Sequence, residues 1–328
     1  MTIRGQFKDV IDATVRGLFT TENEEQSTEL YYQNLGLNDY EPDVPDEVLS
    51  DLSGPGRASL SGEGQEYNTV VKINGYPVTL KLRKYTFKLA FTEEDKHWLA
   101  KSASSKRLTE VRDAVSGGVQ ALNQRINEDA CKVYYLGFGT TFLSVGNSEA
   151  LFGSHTIKGT SGTQKNTFAT GTGHLALTGS TAISDALAIM NRFQAHDGIQ
   201  ILRSRALKLI VGPELEAIAY KIVNSEYGPN NNNLGLQESS NMALSRRGIT
   251  INVETAPDIP YAYRTYWFLV ETNRAKKRAF IAWAWKPRMN SDWEYHNGTE
   301  YMVGSTFFGP VVKGWQWAFG SKGDASAS

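Results

Sequence analysis

Residues 207–217 read Leu207-Lys208-Leu209-Ile210-Val211-Gly212-Pro213-Glu214-Leu215-Glu216-Ala217, and this stretch decides the fold class. The first five residues form a short apolar run suited to a buried strand. Gly212 breaks it, and Pro213 takes the first position of a helix, where a missing N–H costs nothing and φ is already helical. That helix is expected to run to about Asn224. Strand, glycine, proline and helix in this order mark an α/β unit, and its surroundings agree. Ile183, Leu187, Met190 and Phe193 recur at helical spacing, with Gly198 expected as a left-handed C-cap. Further strands are expected at Ile249–Glu254, Tyr266–Glu271 and Ala279–Trp285. Six of the seven tryptophans lie from Trp267 onward, so the final third supplies much of the aromatic core.

Upstream, residues 137–180 are dense in Gly, Ser and Thr and read as loops with short strands. Before them, Leu108, Val111, Val115, Val119, Leu122, Ile126, Ala130 and Val133 keep one stripe on one side of a helix from about Ser104 to Tyr134, roughly 45 Å long at 1.5 Å per residue. Ser104 or Ser105 would cap it. The stripe is rich in Val and short of Leu, which favours packing on a sheet over a coiled coil. Gly117-Gly118 marks a bend or a close approach.

From Tyr67 to Phe91 the pattern is strand. Asn74-Gly75 between two β-rich runs predicts a hairpin turn. Val78, Leu80 and Leu82 alternate, then Tyr85, Phe87, Leu89 and Phe91 alternate one position out of phase, which a β-bulge near Arg83-Lys84 would reconcile. The same segment carries Lys72, Lys81, Arg83, Lys84 and Lys88. At the N-terminus, Ile3, Phe7, Val10, Ile11, Val15 and Leu18 give a short amphipathic helix. Residues 20–66, with Pro42, Pro45, Pro55 and little periodicity, read as an extended acidic arm.

The formal charge of −1 hides an asymmetry, since residues 1–66 carry 14 acidic and 4 basic side chains and the rest is correspondingly basic. Either the arm is a solvated tail, or opposite charge on two parts of one chain steers self-association. The candidate contact residues are then Glu22, Glu24, Glu25, Asp43, Asp46 and Glu47 on one side and the five hairpin cations on the other. Cys131 is the single cysteine, so no intramolecular disulfide or Cys-based zinc site can form. No apolar run is long enough to span a bilayer, and the chain reads as soluble.

Motifs for chemistry are weak. Gly171-Thr172-Gly173-His174-Leu175-Ala176 matches a dinucleotide fingerprint in letters, but its flanks are loop rather than strand and helix. Gly146-Asn147-Ser148-Glu149-Ala150 approximates a nucleophile elbow, with His155 and His174 as the nearest bases. No metal-binding spacing or phosphate-binding loop occurs, so no catalytic, cofactor or metal residue is assigned and an enzyme is not expected. Arg274, Lys276, Lys277 and Arg278 read as a solvated turn between two strands, with nucleic-acid backbone contact as the second reading.

The order of these elements resembles the tailed-phage major capsid proteins of the Hong Kong 97-like fold, and in detail the Mu-type major head subunits. The residues carrying the resemblance are Leu151-Phe152-Gly153-Ser154-His155, the 207–217 stretch, Trp267-Phe268-Leu269 and Gly314-Trp315-Gln316-Trp317-Ala318-Phe319-Gly320-Ser321. No single piece is diagnostic; the ordered set is. The resemblance implies an α+β chain divided into an N-terminal arm (1–56), an extended β-hairpin loop (57–92), a peripheral domain with the spine helix (93–179), an axial domain (180–272) and a return to the peripheral domain (273–328). It implies a head protein that assembles with itself, as pentamers and hexamers, into an icosahedral shell around double-stranded DNA. Portal, scaffold or decoration proteins would be partners, with synthesis in the host bacterial cytoplasm, residence in the virion and no membrane contact. The long helical scaffolding segment of the type member is missing, which implies a separate scaffold or none. An encapsulin-like compartment is the alternative of the same fold; a hydrolase using Ser148 and His155, or a carbohydrate-binding module on the tryptophan-rich end, are alternatives of other classes.

Overall fold

A computed structural model describes residues 3–52, 73–92, 106–168, 175–178, 180–224, 248–293 and 300–323. The 207–217 stretch folds as read. Strand β7 (Ala206–Val211) is followed directly by a helix over Pro213–Asn224. β7 runs parallel to β8 (Thr250–Thr255) and antiparallel to β9 (Trp267–Glu271), and β9 also pairs with β12 (Ala318–Ser321). All five residues of β9 are buried, as a strand covered on both faces requires. A helix over Ser180–Met190 buries Ile183, Leu187 and Met190 in the same core, joined by Phe193 just beyond its end. Gly198 is not its cap. It has φ +78° in a turn where its N–H bonds the Ala195 carbonyl, eight residues past the helix.

A second sheet has the order β1 (Asn38–Tyr40), β10 (Ala279–Trp293), β11 (Glu300–Val312), β4 (Arg83–Phe91). The long helix spans Lys106–Tyr135, so its N-cap region falls outside the described residues. Its stripe packs on this sheet as expected: Val115, Val119 and Leu122 meet Phe91, Met289 and Met302, together with Val15 and Phe19 of the N-terminal helix. Farther along, Ile126, Ala130, Val133 and Tyr134 enter the core of the first sheet, where Tyr134 meets Phe268 and Trp317. One helix therefore ties both cores together. The glycine pair resolves into a close approach at one position only. A Cβ on Gly118 would lie 2.4 Å from the Phe87 ring, whereas Gly117 has nothing within 4 Å.

The strands on either side of Leu80 do not pair with each other. β3 (Asn74–Thr79) is antiparallel to β2 (Val48–Leu52), with Val48 opposite Thr79 and Leu52 opposite Asn74. β4 pairs with β11 instead. Asn74-Gly75 opens a strand and is not a turn, and neither residue has the positive φ that a two-residue turn needs. Glycine is required there for proximity, since a Cβ on Gly75 would sit 2.9 Å from both the Asp51 carbonyl and His196 Nε2. The phase change between Leu82 and Tyr85 is a change of sheet rather than a bulge. Val78 and Leu80 pack with Leu49, Ala282 and Val311, while Phe91 faces the long helix.

The N-terminal helix continues through Gln26 and takes in the first seven residues of the segment that reads as an extended arm. Tertiary contacts explain the extension: Gln26 Nε2 donates to Ser116 Oγ at 2.8 Å, and Glu22 pairs with Arg112 at 2.8 Å on the long helix. Residues 272–278 form a short helix and not a turn. Its Lys276 and Lys277 are exposed, but Arg274 is bound to Glu271 and the Leu202 carbonyl and Arg278 is nearly buried.

Candidate self-assembly surfaces

The β2–β3 pair is the base of a hairpin whose connecting residues, 53–73, include only Ile73 among the described ones. Four segments clamp this base. Asp51 on β2 pairs with Arg278 at 2.8 Å, and Arg278 also donates to Gln316 Oε1 at 2.7 Å. Burial lowers the Arg278 pKa, with Asp51 acting against it. Gly314, at φ +72°, leaves no room for a Cβ, which would lie 2.8 Å from Gln316 Oε1 and 3.2 Å from Asp51 Oδ2. On the other side the Tyr76 ring meets His196 edge-on, and the backbone N–H of Lys158 donates to His196 Nδ1 at 3.4 Å. The imidazole pKa is lowered, first by burial. A Cβ on Gly146, at φ +96°, would lie 2.6 Å from the Tyr76 Cβ.

The expected contact residues fall into distinct groups. Glu22 is 6% exposed, and its hydrogen bonds to Arg112 and Ser116 lower its pKa; it is already paired inside the subunit. Glu24 and Glu25 lie exposed at the end of the N-terminal helix. Asp43 and Asp46 are exposed in the link from β1 to β2, where Val44 and Val48 are 53% and 58% exposed. Glu47 accepts the Tyr40 hydroxyl at 2.6 Å through one oxygen, and its other oxygen has no donor among the described residues. Lys81 and Arg83 line a groove with Phe142, Ser144 and Pro310. Lys84 and Lys88 project from β4 onto a different surface. Lys72 lies outside the described residues.

That surface is the half of the second sheet left uncovered by β2 and β3. Lys88 Nζ lies 3.2 Å from the centre of the Tyr301 ring, and Lys84 Nζ lies 5.8 Å from Trp285. The Arg288 guanidinium lies 4.2 Å over Trp285, whose ring meets Phe307. Among the described residues none of these three cations has an ion pair, so their positive charge faces outward over aromatic rings. Trp285, Arg288, Tyr301 and Phe307 were not read as site residues from sequence. They join Lys84 and Lys88 only through the β4–β11–β10 register, in which Lys84 faces Phe307 and Phe307 faces Trp285.

Among the described residues the weak chemical motifs do not assemble a reacting centre. His155 is buried and stacked at 4.5 Å on Trp315. Its ring nitrogens meet Glu149 at 3.2 Å and Asn166 at 3.0 Å, and neither meets Ser148. Glu149, bonded to His155 and the Thr156 backbone, has its pKa lowered against the effect of burial. Asn147 and Ser148 both have positive φ in a tight turn closed by the Glu149 N–H on the Gly146 carbonyl. Trp267, Trp283, Trp315 and Trp317 are buried, so these four rings form core rather than a sugar platform. Residues 171–174, with His174, lie outside the described residues. Among the described residues no group of three or more His, Cys, Asp or Glu is placed to hold a metal ion, and no helix is long and apolar enough to cross a membrane.

Comparison with known proteins agrees with this architecture. A family described as phage capsid protein matches residues 75–319. No curated protein matches. Among solved structures, one of Mycobacterium phage Patience is 14% identical with a TM-score of 0.53, covering 95% of this chain and 89% of its own. Another, of Mycobacterium phage Adephagia, is 12% identical with a TM-score of 0.50, covering 90% and 91%. At these identities the likeness speaks for the fold, which is the Hong Kong 97-like capsid fold. With three quarters of its length matched, the chain belongs to the phage capsid protein family.

Proposed function

We propose that this capsid protein is a major head subunit that assembles as pentamers and hexamers into an icosahedral shell around double-stranded DNA in the virion, after synthesis in the host cytoplasm. The observation that carries this reading is the placement of the hairpin base. β2 and β3 are riveted to the body through Asp51–Arg278, and their connection, residues 53–73, is long enough to reach a neighbouring copy. Held at both ends by the paired base, a segment of about 20 residues runs out and back and reaches up to roughly 35 Å from it if extended. In this reading residues 57–92 supply the overlap between copies. Strands β7, β8 and β9 belong to the axial domain, 180–272, at the ring centres, with β12 added to their sheet from the C-terminal return, and the long helix is the spine of the peripheral domain. The charged candidates act between copies, and portal, scaffold or decoration proteins complete the particle. Within the family, the ordered motifs favour the Mu-type head subunits.

The shell works by geometry rather than chemistry. One chain makes near-equivalent contacts in rings of five and six, and its loops absorb the difference. Negative-stain microscopy with light scattering, on the purified chain over a range of concentration and salt, tests it. Closed shells or free rings of five and six are the expected result, and a monomer under every condition would count against it. Nucleic acid inside the particles separates a phage head from an encapsulin-like compartment, which would hold a protein cargo.

A further inference from the structure

The geometry points to a second copy of this chain as the occupant of the half of the second sheet left uncovered among the described residues: the acidic link from β1 to β2 of one subunit docks on the Lys84–Lys88–Arg288 face of the next. This inference rests on the shell reading and specifies one contact within it.

Two surfaces of the subunit are complementary in sign and in apolar content. The link Glu41-Pro42-Asp43-Val44-Pro45-Asp46-Glu47-Val48 has exposed carboxylates at Glu41, Asp43 and Asp46, with Val44 and Val48 more than half exposed between and beside them. Two prolines withhold backbone donors, and a turn closed by the Glu47 N–H on the Val44 carbonyl shapes the link, so it presents carboxylates and small apolar side chains. The opposing face presents Lys84, Lys88 and Arg288 above Trp285, Tyr301 and Phe307. Carboxylates suit the cations and valines suit the rings. A phosphate polymer would satisfy the cations but leave Val44 and Val48 unexplained, which favours a protein occupant over nucleic acid.

A subunit's own link cannot fill its own face. The link is anchored by β1, which pairs with β10, and by β2, which pairs with β3, while Lys84 and Lys88 of β4 lie at the other edge of the β1-β10-β11-β4 sheet and Arg288 lies on β10 beyond Ala282, where the pairing with β1 ends. The contact therefore joins two different patches on successive copies. Such a head-to-tail contact propagates and closes into rings when its rotation permits, whereas an interface built from one self-complementary patch stops at a dimer.

Charge exchange tests the contact in the full chain. Lys84→Glu with Lys88→Glu makes the face negative; Glu41→Lys, Asp43→Lys and Asp46→Lys make the link positive. All five side chains are exposed, so unaltered thermal unfolding serves as the folding control. Each variant alone is expected to lose ring formation at about 0.15 M salt, where screening leaves only short-range pairs effective. Both sets in one chain should restore rings. An equimolar mixture of the two variants should also assemble, but with alternating copies, so rings of six close and rings of five do not. Retained assembly of the face variant, or failure of both the mixture and the combined chain to recover, would overturn the contact. A face variant that assembles normally but encloses less DNA would overturn it in favour of nucleic acid. If the wild-type chain forms no rings at all, the shell reading itself falls, which is a distinct result.

Discussion

The Asp51 carboxylate and the Arg278 guanidinium, more than 200 residues apart in sequence, meet at 2.8 Å with side chains only 11% and 13% exposed, respectively. Asp51 lies on the hairpin base and Arg278 ends the short helix that leads into β10, so this pair joins the hairpin to the sheet on which the long helix packs.

Removing one partner strands a nearly buried charge, which costs far more than losing an exposed pair. Asp51→Ala is expected to destabilise the subunit by about 3 kcal/mol, while Gln316 retains one bond to Arg278. Chemical denaturation of the soluble subunit measures the loss. A change under about 0.5 kcal/mol, the range of ordinary surface substitutions, would show that the pair does not hold the base.

The adjacent glycines of the long helix should respond in opposite directions. Phe87 sits between Gly118 and Gly304; Cβ atoms there would lie 2.4 Å and 2.1 Å from its ring, so the ring cannot step away from one without meeting the other. Gly118→Ala should cost about 1–3 kcal/mol through overpacking. Gly117 is exposed with nothing within 4 Å, so Gly117→Ala should stabilise by about 0.5–1 kcal/mol through helix propensity. Thermal melts of the two variants side by side decide the point.

Stability should fall with acid through His196. Its pKa is lowered from the ordinary 6.5, chiefly by burial, with Arg278 and Lys158 lowering it and Asp51 and Glu149 opposing. A group whose folded pKa lies below its unfolded value binds more protons when unfolded, so stability is full above pH 6.5 and is lost as pH falls from there toward the folded pKa. Protonation at Nδ1 would also displace the Lys158 N–H. The melting temperature of the wild type should therefore drop more between pH 7 and pH 5 than that of His196→Gln. Parallel pH profiles would remove His196 from this role.

Cys131 should be inert in the folded chain. It is fully buried, and burial pushes its thiol up to about 12, with little thiolate at neutral pH to react. A maleimide reagent is expected to label it only after denaturation; rapid labelling of the native subunit would contradict the packing of the long helix against Tyr31.

Several elements were legible before any fold was known. Periodicity places the long helix at Ser104–Tyr134, and it spans Lys106–Tyr135; the 207–217 stretch forms the strand and proline-led helix that its pattern predicts. The hairpin was placed one strand too late. β2, Val48-Leu49-Ser50-Asp51-Leu52, carries too little β-branched or aromatic character to announce itself, and its partner lies beyond more than 20 residues. Asn74-Gly75 meanwhile offered a turn signal for what is a close approach to His196. The cation–aromatic face was half visible: Lys84 and Lys88 stood out as charge, but Trp285, Arg288 and Tyr301 join them only across three strands.

The amino-acid sequence by itself determined the types and approximate limits of the main elements, the charge asymmetry and the ordered set of motifs that resembles a capsid subunit. These follow from periodicity, propensity and turn chemistry, which act between residues a few positions apart. Only the tertiary structure decided which strands pair, how far the N-terminal helix runs and which charges are already neutralised within the subunit. A ladder or an ion pair is selected by what lies across from a residue in space: Glu22 is quenched by Arg112 while Asp43 remains exposed, although both belong to the same acidic run.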